Sequence, residues 1–233
     1  MIQLSASKLG ILRDCPRCFW DANNSKFERP RGIFSSLPGG IDLVMKDYFN
    51  QFRGSLPPSL IGRVEGVLMS DAAKLKKWQN WRSGLTWEDN ALGVKLIGAL
   101  DDCLTDGEIY IPLDNKTKGS KPKDDGSQYY QTQMDCYGLL LKSNGYKVNG
   151  NAFLVYYYPF NICAILENLN SQRELSIGLP FGVDVYCLKS SPDEAVATIT
   201  KAVEILKGKR PEPAPDCEYC RFGLLYPRGE NKQ

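Results

Sequence analysis

Three charged residues lie close enough along the chain to do chemistry together: Asp101, Asp114 and Lys116. Asp101 closes the run Gly98-Ala99-Leu100-Asp101, and Asp114-Asn115-Lys116 follows after room for a strand, a turn and a second strand. Side chains alternate faces along a strand, so Asp114 and Lys116 point the same way. A neighbouring strand brings Asp101 beside them. Two carboxylates and one ammonium at one spot suit a hard divalent cation such as Mg²⁺, which takes oxygen ligands and keeps several waters. They also suit phosphodiester hydrolysis, where the cation generates hydroxide and offsets developing charge. Asp102 is the rival to Asp101 for the same place.

The elements that must hold these groups show in the pattern. Residues 92–104 are apolar-rich, Thr105-Asp106-Gly107 is a turn signal, and 108–116 reads as a strand. Pro112 falls inside that second strand, and a proline cannot donate to a ladder, so an edge position or a bulge is expected there. Another strand is expected at 85–89. A helix over 128–143 sets Gln133 and Tyr137, four residues apart, on one face. Earlier helices are expected at 5–23, with Ser5 as N-cap, at 41–52 after Gly39-Gly40, and at 67–81. Later strands are expected at 151–159, 162–168 and 183–189, with a last helix at 192–207. Pro211, Pro213 and Pro215 then form a stiff approach to Cys217. The whole reads as one α/β domain over residues 1–233, with no internal repeat.

Composition narrows the chemistry. The chain has no histidine, which excludes histidine triads, HExxH zinc hydrolases and histidine general bases. Its net charge is only +2, so nucleic-acid binding must come from local patches. One such patch is the loop after Asp114, where Lys116, Lys118, Lys121 and Lys123 crowd together beside the expected cation. Another is the stretch with Lys77, Trp78, Trp81 and Arg82, whose cations and indoles suit a single-stranded backbone and its bases. Packing of both tryptophans on the core is the competing reading. No run has the length of a membrane span, and the amino terminus lacks the regions of a signal peptide, so a cytoplasmic protein is expected.

Eight cysteines are present, and four form two Cys-x-x-Cys pairs near opposite ends: Cys15 with Cys18, and Cys217 with Cys220. Two such pairs make a four-sulfur site, suited to tetrahedral zinc or to an iron–sulfur cluster. The other four lie in apolar surroundings and read as small buried residues.

The order Asp, short gap, Asp-x-Lys resembles the PD-(D/E)XK nuclease superfamily. Gln133-Met134-Asp135-Cys136-Tyr137 is similar to the Gln-x-x-x-Tyr motif of its RecB-like branch, which includes the CRISPR-associated adaptation nucleases. The resemblance implies a restriction-endonuclease-like core, a central mixed β-sheet flanked by helices, with the chain ends joined by the four-cysteine site. It implies Asp101, Asp114, the Asn115 carbonyl and Asp42 as ligands to Mg²⁺ or Mn²⁺. Lys116 would accept a proton from the attacking water, its pKa lowered by burial and nearby positive charge, or position that water. Gln133 and Tyr137 would orient the water, Lys116 or the scissile strand. The branch also implies a [4Fe-4S] cluster on the terminal cysteines. Its usual split is one early cysteine and three late, and the two-and-two split here makes Zn²⁺ the alternative. The expected function is metal-dependent DNA cleavage, exonucleolytic rather than endonucleolytic, on single strands or single-stranded ends. The expected setting is CRISPR adaptation or repair, with an integrase or helicase partner and no membrane. A catalytically silent nucleic-acid scaffold and an unrelated zinc-stapled α/β protein are the competing readings.

Overall fold

A proline decides where the first helix stops. The computed structural model describes residues 1–25, 29–30, 36–122, 126–159 and 180–225. Ser5 caps the first helix as expected, its hydroxyl accepting from the Lys8 N–H. The single helix expected over 5–23 is two, because Pro16 clashes with a helical residue before it and holds Cys15 extended at φ −163° and ψ 113°. In chain order the elements are β1 (Ile2–Leu4), α1 (Ala6–Asp14), α2 (Pro16–Asn24), α3 (Ser36–Asn50), β2 (Val67–Leu68), α4 (Ala72–Trp78), β3 (Leu85–Asp89), β4 (Val94–Gly98), β5 (Asp102–Asp106) and β6 (Ile109–Thr117). Then come α5 (Gln131–Ser143), β7 (Asn151–Pro159), β8 (Phe181–Lys189), α6 (Pro192–Lys207) and α7 (Glu218–Leu225), with 3-10 turns at Pro58–Leu60 and Gly126–Tyr130.

The central sheet is mixed, in the order β2-β5-β6-β7-β8, with β6 and β7 parallel and the other pairs antiparallel. A smaller sheet, β1-β4-β3, lies beside it. The apolar run 92–104 is therefore not one strand. It breaks between Gly98 and Asp102 and passes from the small sheet to the central one. That break is where Asp101 sits.

The central sheet is buried on both faces. Leu154 and Tyr156 of β7 join a core with Phe19, Trp78, Met134, Leu140, Ile199 and Val203 from α2, α4, α5 and α6. Phe153, Val155 and Tyr157 point the other way, to Phe49 of α3, Leu60, Leu68, Leu104 and Leu113. Gly98 lets α5 approach β4: a Cβ there would stand 2.2 Å from Leu140 Cδ1.

Several expectations change. Helix α3 begins at Ser36 and runs through Gly39 and Gly40 instead of starting after them, so Asp42 is an interior residue of the helix. The helix expected over 67–81 is a short strand, β2, followed by α4, whose N-cap Asp71 accepts from the Lys74 N–H. Pro112 makes no bulge and lies in a central strand. It is paired with Cys103, whose carbonyl is turned away toward Met69. The pair is thus a non-hydrogen-bonded one, the missing N–H faces β7, and the β7 ladder starts only at Leu113. Cys103 and Cys136 are buried as expected, whereas Cys187 is exposed. Cys163 and the strand expected at 162–168 lie outside the described residues, as does Lys123.

Candidate active site

The register of two strands assembles the charged cluster. In the β5–β6 pair, Asp102 stands opposite Leu113. One step further along the same register puts Asp101 opposite Asp114, just past the paired end of β5. There Asp114, Asn115 and Lys116 are backed by β7 alone, Asp114 beside Leu154 and Lys116 beside Tyr156. Alternation turns Asp101, Asp114 and Lys116 to the α5 face. Lys116 Nζ lies 2.5 Å from Asp114 Oδ2 and 3.8 Å from Asp101 Oδ2.

Helix α5 supplies the next layer. The Gln133 amide donates to Asp114 Oδ1 at 3.0 Å and to the Tyr137 hydroxyl at 2.5 Å, so the two residues four apart do share the face that meets the cluster. Asp135 fixes the helix from its other side, accepting from the Ser191 N–H and from Gln131. The Ser190 hydroxyl donates to the Met134 carbonyl at 2.7 Å.

Burial and the close approach of two acids set the electrostatics of the cluster. Asp114 is fully buried. Burial, and then the charge of Asp101, push its carboxyl well above the ordinary range, with Lys116 opposing. Burial alone would lower Lys116, but Asp114 and Asp101 outweigh it and hold the ammonium above its usual value. This is the reverse of the lowering expected from burial and nearby positive charge, because the charges beside Lys116 are those of acids. Burial raises the Tyr137 hydroxyl well above its ordinary range, and the Asp114 and Asp101 charges add to that, so it stays protonated. Asp114 Oδ2 has the Lys116 charge beside it but no hydrogen bond in line with it. A buried carboxylate oxygen left so, next to a second carboxylate that is 30% exposed, fits a hard divalent cation reached from solvent.

The remaining expected ligands are less direct. The Asn115 side chain points to the opposite face, with Leu113, and its backbone faces the β5 edge beyond Asp102. Asp42 is ion-paired with Lys46 at 2.8 Å. Lys46 in turn feels the charges of Asp101 and Lys116, so α3 reaches the cluster through that lysine. Asp102, the rival acid, is engaged elsewhere. Its two oxygens accept from Arg53 at 2.7 and 2.6 Å on the α3 face. Asp101, not Asp102, belongs to the cluster.

Four contributors escaped sequence reasoning. Gln79 donates to the Asp101 carbonyl at 2.8 Å, and the Leu100 N–H bonds to the Trp78 carbonyl, so α4 holds the break where Asp101 sits. Lys46 is the second. Tyr130 lies under Lys116, with Nζ 5.1 Å from the ring centre. Tyr156 lies under Lys118 at 4.8 Å and packs edge-on against Tyr130. The adjacency of Gln79 to a cation-and-indole stretch, and the tyrosine-rich run of β7, were the available signals.

A two-acid, one-lysine cluster at a strand end, met by Gln-x-x-x-Tyr from a helix, has a counterpart among known families. The profile of the PD-(D/E)XK nuclease superfamily matches residues 42–223. The chain belongs to that superfamily. No curated protein matches it. Among solved structures, the crystal structure of SSO0001 is similar, at 17% identity over 97% of this chain and 87% of that one, with a TM-score of 0.47.

For a nuclease of this superfamily, the basic residues near the cluster matter next. Lys118 flanks the site over Tyr156, and Lys121 is exposed in the following loop. Lys77, within α4, and Trp81 and Arg82, just after it, are exposed, with the Arg82 guanidinium 5.1 Å from the Trp81 ring. Trp78 is only 4% exposed and packs against Tyr110 and Tyr146, so it is a core residue, and the exposed indole of the two is Trp81.

The four terminal cysteines meet as expected. Cys15 lies between α1 and α2, Cys18 in α2, Cys217 just before α7 and Cys220 within it. The ends are pinned around them. Asp21 accepts from Arg210 at 2.7 and 2.6 Å, Arg17 donates to the Pro211 carbonyl, and Trp20 donates to the Gly208 carbonyl. Burial raises the Cys18 thiol. Burial also acts on Cys15, but hydrogen bonds from the Ala214 and Cys18 backbone outweigh it and lower that thiol to about 7. Among the described residues, no helix is long and apolar enough to cross a membrane.

Proposed function

We propose that this chain is a Mg²⁺- or Mn²⁺-dependent deoxyribonuclease that trims single strands or single-stranded DNA ends as one domain. The observation that carries the reading is the convergence of Asp101, Asp114 and Lys116 at one strand end, with Gln133 and Tyr137 above them. Asp101 and Asp114 would hold the cation, with the Asn115 carbonyl at the same edge. The bound cation would supply a hydroxide at neutral pH and neutralise the phosphate.

The chain's own groups do the rest. Lys116, held as an ammonium, donates to a non-bridging phosphate oxygen and offsets the charge that grows as water oxygen bonds to phosphorus and one ester P–O bond breaks. The water's proton passes to solvent and the departing alkoxide gains one. Gln133 keeps the Asp114 carboxylate turned toward the cation, and Tyr137 keeps Gln133. Tyr130 and Tyr156 offer ring faces under the basic residues, and Trp81 with Arg82 offers a stacking surface for an unpaired base. That surface favours single-stranded substrate. The proposed setting is DNA-end processing before integration or repair in the cytoplasm, with an integrase or helicase as partner.

The test uses end-labelled single- and double-stranded DNA with and without Mn²⁺. Expected are Mn²⁺-dependent shortening from an end and its loss in Asp114→Ala. Cleavage by Asp114→Ala at the parental rate would overturn the reading.

A further inference from the structure

We infer that the four cysteines joining the chain's ends hold one tetrahedral zinc ion, and not the iron–sulfur cluster that the resemblance implies. Four sulfurs bound to a single ion at a Zn–S distance of about 2.3 Å stand about 3.8 Å from one another, the edge of that tetrahedron. Cys15 Sγ and Cys220 Sγ are 3.8 Å apart, and Cys18 Sγ is 3.5 Å from Cys217 Sγ and 3.6 Å from Cys220 Sγ. All four lie within 4.8 Å of one another. A four-iron cluster sets an iron atom between each thiolate and the shared centre, which spreads the sulfurs to roughly 6 Å. The sulfur cage is too small for that.

The cage is not a pair of disulfides either. A disulfide joins sulfurs two by two at about 2.05 Å. Here Cys18 is as near to Cys220 as to Cys217, the pattern of a common centre. Cys15, Cys18 and Cys217 are buried, so the set is closed, as a structural four-coordinate site requires. The surroundings offset the charge of four thiolates on one dication. The Ala214 N–H donates to Cys15 Sγ at 3.4 Å. The Arg29 guanidinium stands 4.7 Å from the Tyr219 ring centre, close enough to Cys18 and Cys217 to feel both. Cys18 and Cys220 sit in the opening turns of α2 and α7, where the helix dipole favours anionic sulfur.

The full chain, purified anaerobically from cells supplied with both zinc and iron, tests this without reference to cleavage. Expected are one zinc per chain, no acid-labile sulfide, and no visible absorbance. Exchange of zinc for Co²⁺ should give the intense visible bands of a tetrahedral four-thiolate site, lost in Cys217→Ser. If Cys217→Ser fails to fold, the cobalt titration of the parent chain reads the site alone. Iron with labile sulfide and a broad brown absorbance would overturn the inference, and so would a metal-free chain carrying two disulfides.

Discussion

The acidic cluster and the sulfur cluster are opposite solutions to gathering like charges. The first is built from contiguous strands, with Asp101 and Asp114 brought together by one antiparallel register. It mixes signs, since Lys116 stands inside it, and it opens to solvent through Asp101. The second is built from the two ends of the chain, with four identical ligands and three of them buried. An open set of hard oxygen ligands with a resident cation leaves room for water and phosphate. A closed set of soft ligands leaves room for nothing else. On the proposed reading the first would turn over a substrate, and the second would hold the fold. They are linked, however: Arg13, beside the sulfur end, donates to the Tyr129 carbonyl next to Tyr130, which lies under Lys116.

The largest expected effect separates the two regions. Asp114→Ala should lower Mn²⁺-dependent cleavage by a factor on the order of a thousand or more. The same variant should keep its full complement of metal at the sulfur site, measured by elemental analysis. Loss of both would mean the two clusters are not independent. Next is Gln133→Leu, which removes the amide that orients Asp114 while leaving every charge in place. Cleavage or Mn²⁺ affinity should fall roughly 10- to 100-fold, as for other groups that steer a ligand without touching the ion. An unchanged rate would show that Asp114 is held well enough by Lys116.

The pH dependence is smaller and has a definite sign. Because burial and the Asp101 charge raise Asp114, a proton competes with the cation for that carboxylate. The competition is strongest below the raised value and disappears above it. Mn²⁺ binding should therefore tighten with rising pH, by about tenfold per unit, and then level off. Calorimetric titration over a pH series checks this, and Asp114→Asn should flatten the curve. The smallest effect is expected at Trp81→Ala, which should weaken single-stranded DNA binding about fivefold through lost base stacking. Its rate at saturating substrate should not change.

Much of this was legible in the sequence for a simple reason: strand alternation and helix periodicity act over a few residues. They set Asp114 with Lys116 and Gln133 with Tyr137, and the structure joins the two pairs by a hydrogen bond between Gln133 and Asp114. The boundaries of β3, β7 and α6 were likewise local. What failed needed the third dimension. Periodicity cannot show that 92–104 changes sheets midway, or that a helix passes through Gly39 and Gly40. Nor can it sort Trp78 from Trp81, since burial depends on Tyr110 and Tyr146 from distant elements. Gln79 was invisible because its bond is to a backbone carbonyl, which any residue at position 101 would offer.

Asp101 and Asp102 stand side by side and serve opposite faces of the sheet, and Arg53 grips only the second. A slip of β5 by one residue would put Asp102 where Asp101 stands, beside Asp114, and Cys103 before the guanidinium. Arg53 and Asp102 are both nearly dry, and an ion pair torn open in such a place costs about 3–5 kcal/mol. A clasp on the far side of the sheet thus acts as the keeper of alignment for a cluster it never touches.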